Sequence, residues 1–384
     1  MTLKVARRAD IAPFFAMEVM RAANRHAAAG ADVLHLEVGE PAAGAPPRVI
    51  EAARAALDST ALGYSEALGL PELRARLARH YRDVYGIEVD AARVVVTAGA
   101  SGAFLLAFLA AFDAGDRVAL ADPGYPAYRN ILRALGIEVV ALAAGPEHRF
   151  QPTPALLEEA GALDGLIVAS PSNPTGTMLR AGELGALADW CDARGVRLIS
   201  DEIYHGIAYG APATTALERK PGCIVINSFS KYFAMTGWRI GWMVVPEELL
   251  APVERLAQNL FVSPAALAQR AALVALECRA ELDAYVEVYA RNRALLLERL
   301  PKAGFDRLAP ADGAFYIYAD TSALAADSQD FCARMLEETG VATTPGVDFD
   351  PRRGHGYIRI SFAGDPADIA AAAERLIDWR AGRK

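Results

Sequence analysis

The sequence predicts an α/β protein with a large domain, in which helices sandwich a mostly parallel sheet, and a smaller α+β domain. Three observations carry this. Short apolar runs without strict alternation recur between helical patterns, which is how strands covered on both faces read. Turn or reactive polar residues follow each run, as at the carboxyl edge of an open sheet. A long Ala-, Leu-, Glu- and Arg-rich stretch then separates these runs from a second, shorter set.

Taken in order, the segment before about Ala45 lacks the sheet rhythm and is expected to pack against the small domain. The strand candidates of the large domain are Arg93–Thr97, Asp116–Leu120, Gly165–Ser170, Val196–Ser200 and Cys223–Asn227. An apolar helix is expected over about Ala103–Phe112, after the small-residue turn Ala98–Gly102. The stretch from about Ala265 to Leu300 reads as a connecting helix, and Gly313–Tyr318 and Tyr357–Phe362 as strands of the smaller domain. The expected division is an amino-terminal segment 1–45, a large domain 46–275 and a small domain 276–384.

Composition narrows the function classes. With 384 residues and 53% hydrophobic content the chain can bury a sizeable core. A net charge of −8 argues against a nucleic-acid partner, because that affinity is built on Lys and Arg neutralising phosphates. Cys191, Cys223, Cys278 and Cys332 form no CxxC pair and have no His cluster, so neither a metal site nor a disulfide framework is signalled. No stretch approaches the roughly 20 apolar residues of a membrane span, and the charged start Met1–Asp10 has no apolar core of a leader. A cytoplasmic enzyme acting on small molecules is expected.

The residues after each run are chemically pointed. Ala100 and Ser101 lie in a small-residue turn just before a helix, where backbone N–H groups can approach an anion; a plain tight connection reads the same way. Asn173 lies in Ser170-Pro171-Ser172-Asn173-Pro174-Thr175-Gly176, a loop stiffened by two prolines that is either a simple turn or a mount for a hydrogen-bond donor. Asp201 ends a buried run, with Tyr204 three residues on; it either caps a helix or pairs with a protonated pyridine nitrogen. Lys231, in Ser228-Phe229-Ser230-Lys231, is surrounded by Phe229, Tyr232, Phe233, Met235 and Trp238. Partial desolvation there lowers a lysine pKa and frees the amine for carbonyl chemistry, while Ser228 and Arg239 suit a phosphate.

Together these motifs resemble the class I aminotransferases, the fold type I enzymes that depend on pyridoxal 5′-phosphate, and in particular the bacterial branch whose lysine motif ends in Met235-Thr236-Gly237-Trp238-Arg239-Ile240-Gly241. The resemblance runs from about Leu36 to Phe362. It implies that Lys231 forms a Schiff base with the cofactor and shuttles a proton between the substrate Cα and C4′. Asp201 pairs with the pyridinium nitrogen, and Asn173 and Tyr204 bond the ring oxygen. Tyr125, in Asp122-Pro123-Gly124-Tyr125, stacks on the ring, and Ala100, Ser101, Ser228 and Arg239 hold the phosphate. Arg359, in Tyr357-Ile358-Arg359-Ile360, grips the substrate carboxylate, and Gly39 lines the same pocket beneath an amino-terminal segment able to close over it. Tyr64 reaches the phosphate of a neighbouring subunit, which implies a homodimer.

Substrate preference is read from one departure. Aspartate-type relatives carry a polar Thr-Ser-Asn-Pro run where this chain has Asn259-Leu260-Phe261-Val262-Ser263-Pro264, and no second arginine for a side-chain carboxylate is identifiable. A neutral aliphatic or aromatic amino donor is expected, with 2-oxoglutarate or pyruvate as acceptor. The same early steps serve C–S lyases and aminocyclopropane-carboxylate synthases, which are the alternatives. An aminotransferase-like sensor in a transcription regulator would carry a DNA-binding extension, whereas the enzyme-like region here begins within about 40 residues of Met1.

Overall fold

A computed structural model describes residues 3–59 and 61–382. Its centre is a seven-stranded sheet built from β2 (Val94–Thr97), β3 (Arg117–Asp122), β4 (Glu138–Ala143), β5 (Gly165–Ala169), β6 (Arg197–Asp201), β7 (Ile224–Ser228) and β8 (Gly241–Val244). The spatial order is β2-β8-β7-β6-β5-β3-β4, and only β8 runs antiparallel to its neighbours. Side chains alternate between two cores along each strand, since successive residues point to opposite faces. Val94, Val96, Leu166, Val168, Leu198 and Val225 enter one core, and Val95, Ile167, Ile199, Ile224 and Ile226 the other. Burial on both faces is the reason the strand centres are apolar without alternation.

Helices cover both faces. In chain order they are α1 (Phe15–Ala28), α2 (Pro47–Ser59), α3 (Pro71–Tyr85), α4 (Gly99–Ala111), α5 (Pro126–Leu135), α6 (Pro154–Ala160), α7 (Ala181–Arg194), α8 (Glu247–Leu260), α9 (Ala266–Ala275), α10 (Arg279–Arg299), α11 (Ser328–Thr339) and α12 (Pro366–Ala381). Phe104 and Phe108 of α4 pack under the sheet with Tyr128 of α5 and Val253 of α8. The opposite face is closed by Leu73 and Leu77 of α3, Leu187 of α7 and Ala271 of α9.

A third core gathers Phe315, Ile317, Phe331, Met335, Ile358, Ile360, Ile369 and Leu376. It lies against the antiparallel sheet β11-β12-β9, formed by β9 (Tyr316–Asp320), β11 (Thr344–Pro345) and β12 (Tyr357–Ser361). The amino-terminal strand β1 (Leu34–His35) pairs in parallel with β10 (Val341–Ala342), which brings Leu34 and Leu36 into this third core.

Local outcomes differ from the sequence reading in four places. The apolar helix after β2 starts at Gly99, so Ala100 and Ser101 lie in its first turn. The stretch 265–300 is two helices, broken between Ala275 and Arg279. The strand expected from Gly313 begins at Tyr316, because Gly313 and Ala314 pair with Ala208 and Ile207 instead. Two strands of the large sheet, β4 and β8, were not anticipated: β4 is a half-exposed edge and β8 is only four residues long.

Candidate active site

The parallel strands end on one edge of the sheet, and their ends surround a cavity of about 260 Å³. Of the twelve residues singled out from the sequence, ten line it: Gly39, Ala100, Ser101, Tyr125, Asn173, Asp201, Tyr204, Lys231, Arg239 and Arg359. Ser228 sits behind the wall, buried, its Oγ 2.9 Å from the Oγ of Ser230, and it is Ser230 that reaches the cavity. Tyr64 lies outside the cavity and is 87% exposed.

Lys231 follows β7 on a loop packed by Phe229 and Phe233. Its Nζ donates to the Gly39 carbonyl at 2.5 Å. Burial, and then the charge of Arg359, lower its pKa to about 8. Asp201, at the end of β6, caps no helix: turns follow it, and Oδ1 accepts from the Ile203 N–H at 3.0 Å. Its Oδ2 accepts from Tyr128. Burial pushes the Asp201 carboxyl up to about 6, against the pull of these two donors and of Lys231.

Arg359 does not point outward from its strand. It is 2% exposed and donates to Asn173 Oδ1 at 3.0 Å, to Thr344 Oγ1 at 3.1 Å and to the Glu37 carbonyl. Its guanidinium lies 4.5 Å from the ring centre of Tyr316 and 4.9 Å from that of Phe349. Nε is buried without a partner. The Tyr204 hydroxyl is 2.8 Å from that of Tyr316.

At the other end of the cavity the first turn of α4 has no side-chain cap, so its leading N–H groups face outward with the positive end of the helix dipole. Arg239 stands beside this turn. Gly99, at φ +68°, is required here, since a Cβ would lie 2.7 Å from Arg239 Nη2. Uncapped N–H groups, a guanidinium and the Ser101 and Ser230 hydroxyls make this end a site for a phosphate-sized anion. The cavity thus offers an anion cradle, an aromatic wall at Tyr125, a buried carboxylate, a lysine of lowered pKa and an arginine fork. That donor set fits a phosphorylated pyridine aldehyde and an amino acid together.

Three comparisons bear on this arrangement. Residues 31–376 match the family model described as aminotransferase class I and II. The chain belongs to the class I and II aminotransferases. It is 53% identical over 384 residues to the valine–pyruvate aminotransferase of Mycobacterium tuberculosis, covering 99% of each chain. A crystal structure of an aminotransferase from Mycobacterium tuberculosis superposes with a TM-score of 0.97 at 52% identity, over 99% of this chain and 100% of that one. The Thermus thermophilus aspartate aminotransferase with maleate gives a TM-score of 0.93 at 34% identity, over 98% and 100%. The fold is therefore that of the fold type I aminotransferases, and the protein is a transaminase. The family depends in general on pyridoxal 5′-phosphate. No helix among the described residues is long and apolar enough to cross a membrane.

Several residues of this aminotransferase site escaped the sequence reading. Tyr128 holds Asp201, Tyr316 carries both Tyr204 and Arg359, and Phe14, Met17 and Met20 of the amino-terminal segment form one wall. A signal existed for Tyr128, which lies one helical turn after Tyr125. None existed for Tyr316, which reads as an ordinary strand aromatic.

Proposed function

We propose that this aminotransferase moves the amino group of a neutral aliphatic or aromatic L-amino acid to a short 2-oxo acid, pyruvate or 2-oxoglutarate, by a ping-pong reaction with pyridoxal 5′-phosphate. The observation that carries it is the cavity wall: its cations are Lys231, Arg239 and Arg359, and Phe14, Met17, Met20 and Ile131 give it an apolar side. Each cation has a use at the amine, the phosphate or the α-carboxylate, which leaves none of the cations that this chain contributes to its own cavity for a side-chain carboxylate. The name of the 53% identical relative supports the same substrate class.

When bound, the cofactor supplies an electron sink conjugated to the substrate Cα. Arg359 holds the α-carboxylate in its planar fork, with its free Nε available as an additional donor. Lys231, held beside the Gly39 carbonyl, would be the base that moves the substrate Cα proton towards C4′ of a bound cofactor. Asp201 would pair with the ring nitrogen of a bound cofactor, where a proton on that nitrogen would favour the ionised carboxylate that the Tyr128 hydroxyl further steadies. Asn173 and Tyr204 serve the ring oxygen, and Tyr125 covers one face. Ala100, Ser101, Ser230 and Arg239 hold the phosphate, with Ser228 fixing Ser230 from behind. Tyr64, exposed in the single chain, completes the phosphate site of a second copy in a homodimer. Membership of the bacterial branch, argued from the lysine motif, a cytoplasmic location and the division 1–45, 46–275 and 276–384 belong to the same proposal.

The test is an absorbance titration of the protein loaded with pyridoxal phosphate, using alanine, valine, leucine, phenylalanine and aspartate without oxo acid. Stoichiometric conversion to the amino form of the cofactor by the neutral donors, reversed by pyruvate, is expected, and Lys231→Ala abolishes it. Released ammonia and oxo acid would identify a lyase, and an aspartate preference would reject the substrate class.

A further inference from the structure

The wall that faces the substrate side chain hangs on a helix start with no cap of its own. The residue before α1 is Phe14, which offers no side-chain acceptor, so the first N–H groups of the helix lack partners within it. Those of Phe15 and Ala16 donate to Asp348 at 3.2 Å on Oδ1 and 3.0 Å on Oδ2. Asp348 is 1% exposed and lies more than three hundred residues further along the chain, just after β11. The loop that carries it is itself clamped. Arg129 of α5 donates to the carbonyl of Phe349 at 3.1 Å and to that of Asp348. The Phe349 ring packs on the guanidinium of Arg359. One loop therefore supports the arginine assigned to the substrate carboxylate and anchors the helix whose Met17 and Met20, with Phe14, bound the far side of the cavity. Phe14 also meets Tyr125 edge-on, with ring centres 5.9 Å apart.

We propose that Asp348 is a positioning residue for donor selectivity: by capping α1 it sets the distance between the Phe14, Met17 and Met20 wall and Arg359, and so the length of side chain the enzyme prefers. This rests on the reading of the cavity as a transaminase site for neutral amino acids. Alanine, with one methyl, gains least from the wall, and leucine and phenylalanine gain most.

Removing both acceptors in Asp348→Ala is expected to raise KM for leucine about fivefold, the factor equivalent to a lost helix cap. Values of kcat, and both constants for alanine, stay near wild type. Asp348→Asn keeps one acceptor and falls between the two, which supplies the test if the alanine variant does not fold. Met17→Ala trims the wall directly, lowers the leucine-to-alanine ratio in the same direction, and adds little on top of Asp348→Ala, because both act through one contact surface. Steady-state kinetics with leucine and alanine, at saturating 2-oxoglutarate so that both donors give a net reaction, reads all of these. Equal losses on both donors, or a change in kcat alone, would show a merely structural role and overturn the proposal. A wild-type enzyme that prefers aspartate overturns the proposed function. A wild type that takes neutral donors, with Asp348 variants that keep its leucine-to-alanine ratio, overturns the positioning role alone.

Discussion

Lys231 and Arg359 share one cavity, and after burial the second is what most lowers the pKa of the first. Burial and the Arg359 charge bring the lysine to about 8, so its neutral fraction grows through that pH. The rate at which apoprotein captures pyridoxal phosphate should therefore rise with pH, with a midpoint near 8, and the midpoint should move higher in Arg359→Met, which removes a repelling cation. Stopped-flow absorbance across this range checks both. The linked stability has a matching sign: the unfolded chain binds the extra proton between about 8 and 10.5, so this group adds stability to the apoprotein as pH rises through that window. Asp201 behaves oppositely. Its carboxyl is raised to about 6, so its contribution is present at low pH and is lost as pH rises through 6. The Tyr128 hydroxyl holds this acid down, and Tyr128→Phe should shift the acid limb of kcat/KM to higher pH; an unmoved limb would separate Tyr128 from Asp201. Lys231, Asn173 and Asp201 were legible because their chemistry is announced by adjacent residues. Tyr128, Tyr316 and Asp348 were not, because their partners stand 73, 112 and 332 positions away.

At the scale of elements, the β2–α4 junction is the tightest part of the site. Gly99 lies at φ +68° against Arg239, and β8 approaches so closely that a Cβ on Gly241 would lie 2.9 Å from the Gly99 carbonyl carbon. Gly99→Ala combines a left-handed backbone strain of about 1–2 kcal/mol with a displaced Arg239. Lower melting temperature and weaker retention of pyridoxal phosphate are expected, measured by thermal scan and by dialysis against buffer. Unchanged cofactor retention would mean that the turn is only a connection. This junction also shows why the element reading was incomplete. The strands β2, β3, β5, β6 and β7 have apolar centres followed by chemically pointed residues and stood out, whereas β4 is a half-exposed edge whose equally apolar run Val139–Ala143 leads only into Gly145-Pro146. β8 was hidden for another reason: Gly241–Val244 begins inside the lysine motif, so its four residues read as motif and not as strand. The broken helix at 276–278 gave no warning because Leu276, Glu277 and Cys278 include no Gly or Pro.

The whole molecule leaves a set of large apolar side chains in solvent on the turn before α3 and at the end of α8. Tyr64 is 87% exposed, Val262 51% and Leu260 48%. Gln269 joins the turns that carry them, donating to Ser65 Oγ and to the Pro264 carbonyl, both at 3.0 Å. A monomer gains nothing by holding these groups outward, while a symmetric pair would bury them and deliver Tyr64 to the opposite phosphate site. Such sharing has a consequence that no monomer can imitate. Lys231→Ala and Tyr64→Ala homodimers should each be impaired, the first completely and the second through weakened cofactor binding. In a hybrid of the two, one site collects both defects and the other collects none, since its Lys231 comes from one subunit and its Tyr64 from the partner. Mixing equal amounts after mild dissociation should therefore restore about a quarter of the wild-type sites, from random pairing of a two-fold dimer. The measurement is transaminase activity at limiting pyridoxal phosphate, where the loss of Tyr64 is felt. Activity equal to the average of the two parents would show that each subunit builds its site alone.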